Sequence, residues 1–307
     1  MSVKGWIKIV EESAVQDGPG LRSLVFLKGC SLSCKWCQNP ELLDYKPQIW
    51  VYKFLCKGCG KCVEVCPTNA IDIARENRVD TGKCLGVGCS KCVEVCPHGA
   101  MQVVGYETTA EDLFKHVAKY QLFYDHSGGG VTITGGEPLH QAEFTAEVLR
   151  LCQARGIHTA LESCLYAEYS DLHMVAQHCS LIMCDIKHMD SAKHKEGTGV
   201  PNELIHENLR KLNQDFNTDI VVRIPLVPGY NDDEDNVKKT LDFLSTLKNV
   251  KRVDLLPFNV FPVMKYDALS LNWCYKGVET QQDEHIEKLR KLTEPYTQFQ
   301  ITVGGLW

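Results

Sequence analysis

Short apolar runs alternate with amphipathic stretches along most of the chain. The apolar runs have the length and the β-branched content of strands, and they occupy residues 21–27, 131–136, 158–163, 181–187, 219–227 and 252–258. The amphipathic stretches repeat their apolar residues at helical spacing and occupy residues 108–126, 141–156, 171–179, 202–216 and 231–248. This alternation predicts parallel βαβ units.

Chemically distinctive residues lie at or just past the carboxyl ends of five predicted strands. They are Glu137, Ser163, Asp185, Arg223 and Asn259. A doubly wound open sheet would show the same alternation, but this end of the strands is where a β/α barrel assembles its site. We therefore predict an α/β fold, a partial (β/α)6 barrel similar to a TIM barrel.

An internal repeat interrupts this pattern. The segment GCGKCVEVCP at residues 58–67 returns as GCSKCVEVCP at residues 88–97, which indicates a duplicated module. We predict that the module is inserted after the first barrel strand. The expected domains are residues 1–46, the start of the barrel; residues 47–103, the insert; and residues 104–307, the remainder of the barrel.

The composition is that of an ordinary globular protein. The 307 residues include 44% hydrophobic and 23% charged side chains, enough for one large core. A net charge of −6 without a basic block argues against a nucleic-acid partner, because phosphate contacts need a basic face. No run of about 18 apolar residues and no leader-like start is present, so we expect no membrane association and a cytoplasmic location.

Sixteen cysteines are the unusual feature of the composition. In a reducing compartment so many thiols indicate metal ligation rather than disulfides. Eleven of them lie in three tight groups between Cys30 and Cys96. The remaining five are expected to be small buried side chains: Cys152, Cys164, Cys179, Cys184 and Cys274.

The first group, Cys30, Cys34 and Cys37, follows the first predicted strand with the spacing Cys-x3-Cys-x2-Cys. A cubane of four irons otherwise takes four cysteines, so three thiolates leave one iron open to a ligand. The alternative is a zinc site whose fourth ligand lies elsewhere in the chain.

Trp36 stands before the last cysteine, and with this loop the chain resembles the radical S-adenosylmethionine (SAM) superfamily. The resemblance implies that the three cysteines hold a catalytic 4Fe-4S cluster, and that SAM chelates its open iron and is cleaved reductively to a 5′-deoxyadenosyl radical. It also implies that Trp36, Cys37 and Gln38 lie around SAM, with Trp36 near the adenine. Chelation makes electron transfer and bond cleavage intramolecular, which gives a large positional advantage.

The segment TGGEP, residues 134–138, ends the second predicted strand. Read alone it is a turn, but Gly135 and Gly136 would let the backbone approach a ligand closely, and Glu137 offers an anionic acceptor. In the family that the chain resembles, this motif receives the amino group of SAM.

Six further positions are implied to lie near SAM by the same resemblance. Asp185, Ile186 and Lys187 form the Asp-x-Lys of glycyl radical enzyme activating enzymes, whose plain alternative is a surface ion pair worth little. Ser163, with Glu162, matches the position of an acidic residue that joins the aspartate around a small, monovalent cation. Arg223 and Asn259 match positions near SAM, and a solvent-exposed arginine is the alternative for the former.

The insert carries two further cysteine runs. Cys56, Cys59, Cys62 and Cys66 have the spacing of bacterial ferredoxins, and the second run, Cys84, Cys89, Cys92 and Cys96, differs only in its first interval. In two-cluster ferredoxins the fourth cysteine of each run binds the other cluster. We therefore expect Cys96 with the first three residues of the first run and Cys66 with those of the second, which makes three 4Fe-4S clusters in all.

The motifs together span nearly the whole chain and resemble a glycyl radical enzyme activating enzyme with a ferredoxin-like insert. The implied substrate is a partner protein from which hydrogen is removed at one glycine Cα. The resemblance allows isethionate sulfite-lyase, choline trimethylamine-lyase, glycerol dehydratase, 4-hydroxyphenylacetate decarboxylase or benzylsuccinate synthase as that partner. The insert would relay electrons from a ferredoxin or flavodoxin, or would be structural.

Two other classes remain open on the sequence. One is a radical SAM enzyme that acts on a small molecule. The other is an electron-transfer protein of the ferredoxin kind, which would leave the first cysteine group and TGGEP unexplained.

Overall fold

The computed structural model describes residues 2–75 and 78–307. Its strands are β1 (Lys4–Ala14), β2 (Arg22–Leu27), β3 (Gln48–Val51), β4 (Met101–Val104), β5 (Tyr106–Thr109), β6 (Gly130–Gly135), β7 (His158–Ser163), β8 (Leu181–Asp185), β9 (Asp219–Pro225), β10 (Val250–Leu256) and β11 (Gln300–Val303). Its α-helices are α1 (Lys61–Glu64), α2 (Lys91–Glu94), α3 (Ala110–Val117), α4 (Gln121–Ser127), α5 (Ala142–Ala154), α6 (Tyr169–Ala176), α7 (Ser191–Thr198), α8 (Glu203–Asp215), α9 (Glu234–Leu244), α10 (Val263–Ala268) and α11 (Asp283–Lys291).

Nine of the strands form one sheet in the order β11-β10-β9-β8-β7-β6-β2-β1-β5. Every pair from β2 to β11 along this order is parallel, whereas β1 is antiparallel to both β2 and β5. The α/β fold with a mostly parallel sheet is confirmed. The six predicted strands and the five predicted helical segments are confirmed too, with 108–126 split into α3 and α4 by a short 3-10 turn.

The two faces of the parallel strands carry different chemistry, because strand side chains alternate. Leu161, Ile182 and Val222 point to the helix side and belong to the main core. Their neighbours on the other face form a small apolar cluster of Ala160, Leu181, Met183 and Val221. Closer to the carboxyl ends, this inner face carries the charged residues Glu162, Asp185, Arg223 and Asp254.

Side-chain capping fixes several helix starts beside the sheet. Thr109 accepts a hydrogen bond from the backbone of Asp112 at α3, and Asp233 accepts one from Asn236 at α9. Each cap satisfies a backbone donor that the first helical turn leaves unpaired. The caps therefore fix where α3 and α9 begin.

The segment predicted to be an insert begins with β3 and ends on β4, which form an antiparallel pair. One face of this hairpin, with Ile49, Val51 and Met101, packs on the cysteine-containing segments. The opposite face presents Trp50, which packs against Val104 and Ala268 of α10. The hairpin thus stands between the cysteine runs and the rest of the molecule.

No helix in residues 2–75 and 78–307 is both long and apolar enough to cross a membrane.

Candidate active site

The loop with Cys30, Cys34 and Cys37 follows β2 at the carboxyl end of the sheet. The backbone of the loop is tied to the end of α7, since the amides of Ser33 and Lys35 donate to the carbonyls of Thr198 and Gly197 at 2.8 and 2.9 Å. A turn brings the Cys37 amide to the Cys34 carbonyl at 3.0 Å. The spacing of the three cysteines is therefore held by backbone contacts on both sides.

The three thiols influence one another electrostatically. Burial, together with the neighbouring thiols, raises the pKa of each to about 12, and the Lys187 ammonium opposes the shift in all three. Thiols of this kind need positive charge nearby to ionise, which a bound metal group supplies. Within the described residues, no three Cys, His, Asp or Glu side chains converge tightly enough to hold a single metal ion.

Trp36 is 5% exposed and belongs to a cluster of aromatic side chains that packs against this loop. Its ring lies 4.7 Å from the ring of Tyr230, and the cluster also contains Phe258, Tyr266 and Trp273. This apolar wall shields the cysteine loop from water on one side.

The carboxyl end of β6 is fastened to the cysteine loop. The amides of Gly136 and Glu137 donate to the carbonyls of Leu27 and Gly29 at 2.9 and 2.7 Å. A Cβ atom at Gly136 would come within 2.2 Å of the Gly29 carbonyl oxygen, so only glycine allows this approach.

The Glu137 carboxylate is fully buried and accepts three hydrogen bonds from its own chain. The donors are the Leu139 amide, the Ser163 hydroxyl and the Cys164 amide, at 2.7 to 2.9 Å. Burial raises the pKa of Glu137, and these donors oppose that rise. This differs from the expectation of a carboxylate open to a ligand: Glu137 and Ser163 instead join the ends of β6 and β7.

Lys187 is 8% exposed and pairs with Asp185 across the end of β8. Burial lowers the pKa of Lys187, but Asp185 and the thiols of Cys34 and Cys164 outweigh it and raise the pKa above its usual range. The ammonium is therefore held charged beside the cysteine loop. The alternative of an exposed ion pair is wrong for this residue.

The Arg223 side chain is buried on the inner face of the sheet rather than exposed to solvent. Its guanidinium contacts the carboxylates of Asp17 and Glu162, both at 2.7 Å, and lies 3.8 Å from Asp254. Asp254 in turn accepts from Arg252 at 2.6 Å. Burial raises the pKa of Glu162 to about 7, while Arg223 opposes the rise.

Comparison with known proteins fits this site. The family model of the radical SAM superfamily matches residues 24–244. The trans-4-hydroxy-L-proline dehydratase activating enzyme of Clostridioides difficile is 38% identical over 96% of this chain and 98% of its own. The choline trimethylamine-lyase activating enzyme of Oleidesulfovibrio alaskensis is 39% identical over 95% of this chain and 96% of its own.

This chain is a radical SAM enzyme. It belongs to the glycyl radical enzyme activating enzymes within that superfamily. A radical SAM methyltransferase from Sphaerobacter thermophilus, 10% identical, shares the fold alone, with a TM-score of 0.51 over 92% of this chain and 66% of the other.

Three other predicted SAM contacts in this radical SAM enzyme lie at the same end of the sheet. The Gln38 side-chain amide donates to the Trp36 carbonyl at 3.4 Å. Ile186 is buried in the main core, and its amide donates to the Arg223 carbonyl at 2.9 Å. Asn259 accepts from the Phe261 amide at 3.2 Å. The side chain and the amide of Ile186 are thus both engaged within the chain.

In the segment predicted to be an insert, eight cysteines divide between two cavities. One cavity is lined by Cys56, Cys59, Cys62 and Cys96. The other is lined by Cys66, Cys84, Cys89 and Cys92. Each set takes three cysteines from one run and the fourth from the other run.

Sequence reasoning missed several residues of the site. Asp17 and Asp254, which surround Arg223, were not singled out, although a charged residue in an apolar strand such as β10 was a signal. Of the five scattered cysteines, Cys274 is exposed, so its predicted burial is wrong; the other four are buried.

Proposed function

We propose that this chain activates a glycyl radical enzyme by removing hydrogen from a glycine Cα of that partner protein. The observation that carries the proposal is the three-cysteine loop beside Lys187 at the carboxyl end of the sheet, in a chain whose relatives along their whole length are activating enzymes. Those relatives act on dehydratases, lyases and a decarboxylase, so we propose a partner of these kinds.

The residues present fit the cofactors that this family uses. Cys30, Cys34 and Cys37 would hold a 4Fe-4S cluster, and their three mutually interacting thiols leave one iron for SAM. Once bound, the cluster and SAM supply one-electron reductive cleavage that yields a carbon radical able to remove the glycine hydrogen.

The remaining residues position and enclose the reacting groups. We propose that Gly135 and Gly136 offer their backbone to SAM while Glu137 and Ser163 hold that backbone in place. Lys187, fixed by Asp185, keeps a positive charge beside the cysteines, and Trp36 excludes water with its aromatic neighbours. Arg223 and Asn259 remain proposed SAM contacts.

The geometry lends no support to the predicted monovalent cation. Asp185 already pairs with Lys187, and Glu162 already pairs with Arg223. Both carboxylates therefore have protein cations as counterions.

We propose the finer architecture as a partial (β/α)6 barrel, residues 1–46 and 104–307, with residues 47–103 as a ferredoxin-like insert. The two cysteine-lined cavities support two further 4Fe-4S clusters with ligand sets that exchange their fourth cysteine. An external ferredoxin or flavodoxin is the proposed electron donor.

The test is to mix the reduced holoenzyme, SAM and a candidate glycyl radical enzyme without oxygen. We expect the doublet of a glycyl radical in the electron paramagnetic resonance (EPR) spectrum, absent with Cys34→Ala and absent when the partner's glycine is replaced by alanine. SAM cleavage without a doublet, across partners of all the kinds that the relatives serve, would falsify the proposal.

A further inference from the structure

Lys265 on α10 reaches the residues that directly follow the third cysteine of the loop. Its Nζ donates to the Gln38 carbonyl at 3.1 Å and to the Asn39 side chain. It also lies 3.2 Å from the Glu41 carboxylate, which is fully buried. One ammonium thus contacts three of the four residues that follow Cys37.

Glu41 is shared with a second ammonium. Lys8 of β1 also pairs with the Glu41 carboxylate, and the same Lys8 lies over the ring of Trp50 at 5.8 Å. Lys28 donates to the Glu41 carbonyl. Two lysines therefore pair with the Glu41 carboxylate and a third donates to its backbone carbonyl, so three lysine side chains gather around Glu41 beside the cysteine loop.

The helix that carries Lys265 also contacts the insert. Ala268, one turn from Lys265, packs on Trp50 of β3. Tyr266 between them packs near Trp36 and interacts electrostatically with the thiols of Cys37 and Cys34. The six-residue α10 therefore fastens the cysteine loop and the hairpin of the insert to one another.

We propose that Lys265 is a positioning residue that sets both the geometry and the reduction potential of the cluster at Cys30, Cys34 and Cys37. The inference rests on the proposed function, since it requires that cluster. Its hydrogen bonds to Gln38 and Asn39 orient the backbone next to Cys37. Its charge favours the reduced, more negative cluster, because charge and hydrogen bonding around the ligands set the potential of iron-sulfur sites.

The test uses the holoenzyme with its partner protein absent. The readouts are the EPR difference spectrum with and without SAM, the midpoint potential of the cluster that responds to SAM, and the SAM dissociation constant. Lys265→Met is expected to alter the difference spectrum, to shift the potential to more negative values and to weaken SAM binding by roughly tenfold or more. The control Lys276→Met, at an exposed lysine eleven residues further along, should match the wild type.

Two more variants separate charge from packing. Lys265→Gln keeps a donor for the Gln38 carbonyl, so we expect a spectrum close to wild type but a more negative potential. Glu41→Gln removes a negative charge from the same cluster of side chains, so the potential should move in the opposite direction. A purely structural role would not give opposite signs.

Failure of this inference is distinguishable from failure of the proposed function. If the EPR spectrum of the wild-type protein did not change when SAM was added, the proposed function itself would be contradicted. A wild-type protein that responds to SAM, with Lys265→Met and Lys265→Gln both at the wild-type potential and affinity, would overturn the role of Lys265.

Discussion

Arg22 is fully buried at the amino end of β2, whereas the cysteine loop follows the carboxyl end. Its guanidinium donates hydrogen bonds to several acceptors. Its Nε donates to the Thr132 hydroxyl at 2.7 Å, and its Nη atoms donate to the carbonyls of Pro19 and Val131 at 2.9 and 3.1 Å. The remaining neighbour is the Nδ1 atom of His158 at 3.3 Å. Because a guanidinium can only donate, this ring nitrogen must be an acceptor, and the imidazole must be neutral.

His158 is therefore predicted to make the protein less stable in mild acid. Burial, followed by the charge of Arg22, lowers the pKa of His158 to about 4. The unfolded chain takes up a proton near pH 6.5 whereas the folded chain does not, so stability falls as the pH drops through this window. The loss is at most about 1.4 kcal/mol per pH unit from this residue.

His158→Gln retains an acceptor for Arg22 but cannot be protonated. Its apparent Tm should fall less than that of the wild type between pH 7 and pH 5.5, measured anaerobically at equal cluster content. The exposed His126→Gln serves as the control and should keep the wild-type slope. Equal slopes in all three proteins would contradict the assignment of a neutral His158.

At the scale of elements, the cysteine loop packs directly against the carboxyl end of β6. A Cβ atom at Gly136 would lie 2.2 Å from the Gly29 carbonyl oxygen and 2.6 Å from that of Leu42. Both oxygens belong to the main chain on either side of the cysteines, so they cannot move aside as a flexible side chain would. If a larger residue replaced Gly136, the end of β6 and the cysteine loop would therefore have to shift together.

Gly136→Ala is expected to destabilise the protein by about 1–3 kcal/mol, the usual cost of overpacking a tight contact. It should also lower the fraction of molecules that hold the cluster at Cys30, Cys34 and Cys37. Iron content and the SAM-induced change in the EPR spectrum measure this. Gly82→Ala, where a Cβ meets only the Asp80 side chain at 3.3 Å, should behave as wild type.

The strands of the sheet also show which structural features can be predicted from the sequence. The six inner strands are predictable because apolar runs bounded by turns are typical of parallel strands, and their carboxyl ends locate Ser163, Asp185 and Arg223 correctly. The direction of a buried carboxylate is not predictable in this way. Glu137 turns toward Ser163 and Cys164, which are 26 and 27 residues away in sequence, and only the folded sheet brings them together.

Short elements held by tertiary contacts escaped prediction for a related reason. The helix α10 has six residues, too few to form a periodic pattern, and it is ordered by Lys265 and Ala268 through contacts with distant segments. The edge strands β5 and β11 have four residues each and gain their conformation from pairing with β1 and β10. By contrast, the division of eight cysteines between two cavities matches the grouping that the spacing indicated, and the clusters in those cavities stay a prediction.

At the scale of the whole molecule, we propose that the predicted insert passes electrons to the cluster at Cys30, Cys34 and Cys37. The alternative is that it only supports the fold, and the structure offers a way to separate these roles. Cys59 lines one cavity of the insert and Cys92 the other, and the hairpin of β3 and β4 separates the core around these cysteines from α10. Removing one ligand from each set would interrupt a relay. The loop of Cys30, Cys34 and Cys37 is formed by other elements and should persist.

We therefore expect Cys59→Ala and Cys92→Ala each to reduce SAM cleavage to near the donor-free level when a flavodoxin or ferredoxin supplies the electrons. With dithionite, a small reductant that reaches the active site directly, both variants should cleave SAM at close to the wild-type rate. Cys274→Ser, at an exposed thiol outside both cavities, is the control for both conditions. If the variants cleave SAM at the wild-type rate with the protein donor, the relay is excluded. If their rates are low with both reductants, the insert serves the fold, because a structural defect lowers the rate whatever the electron source.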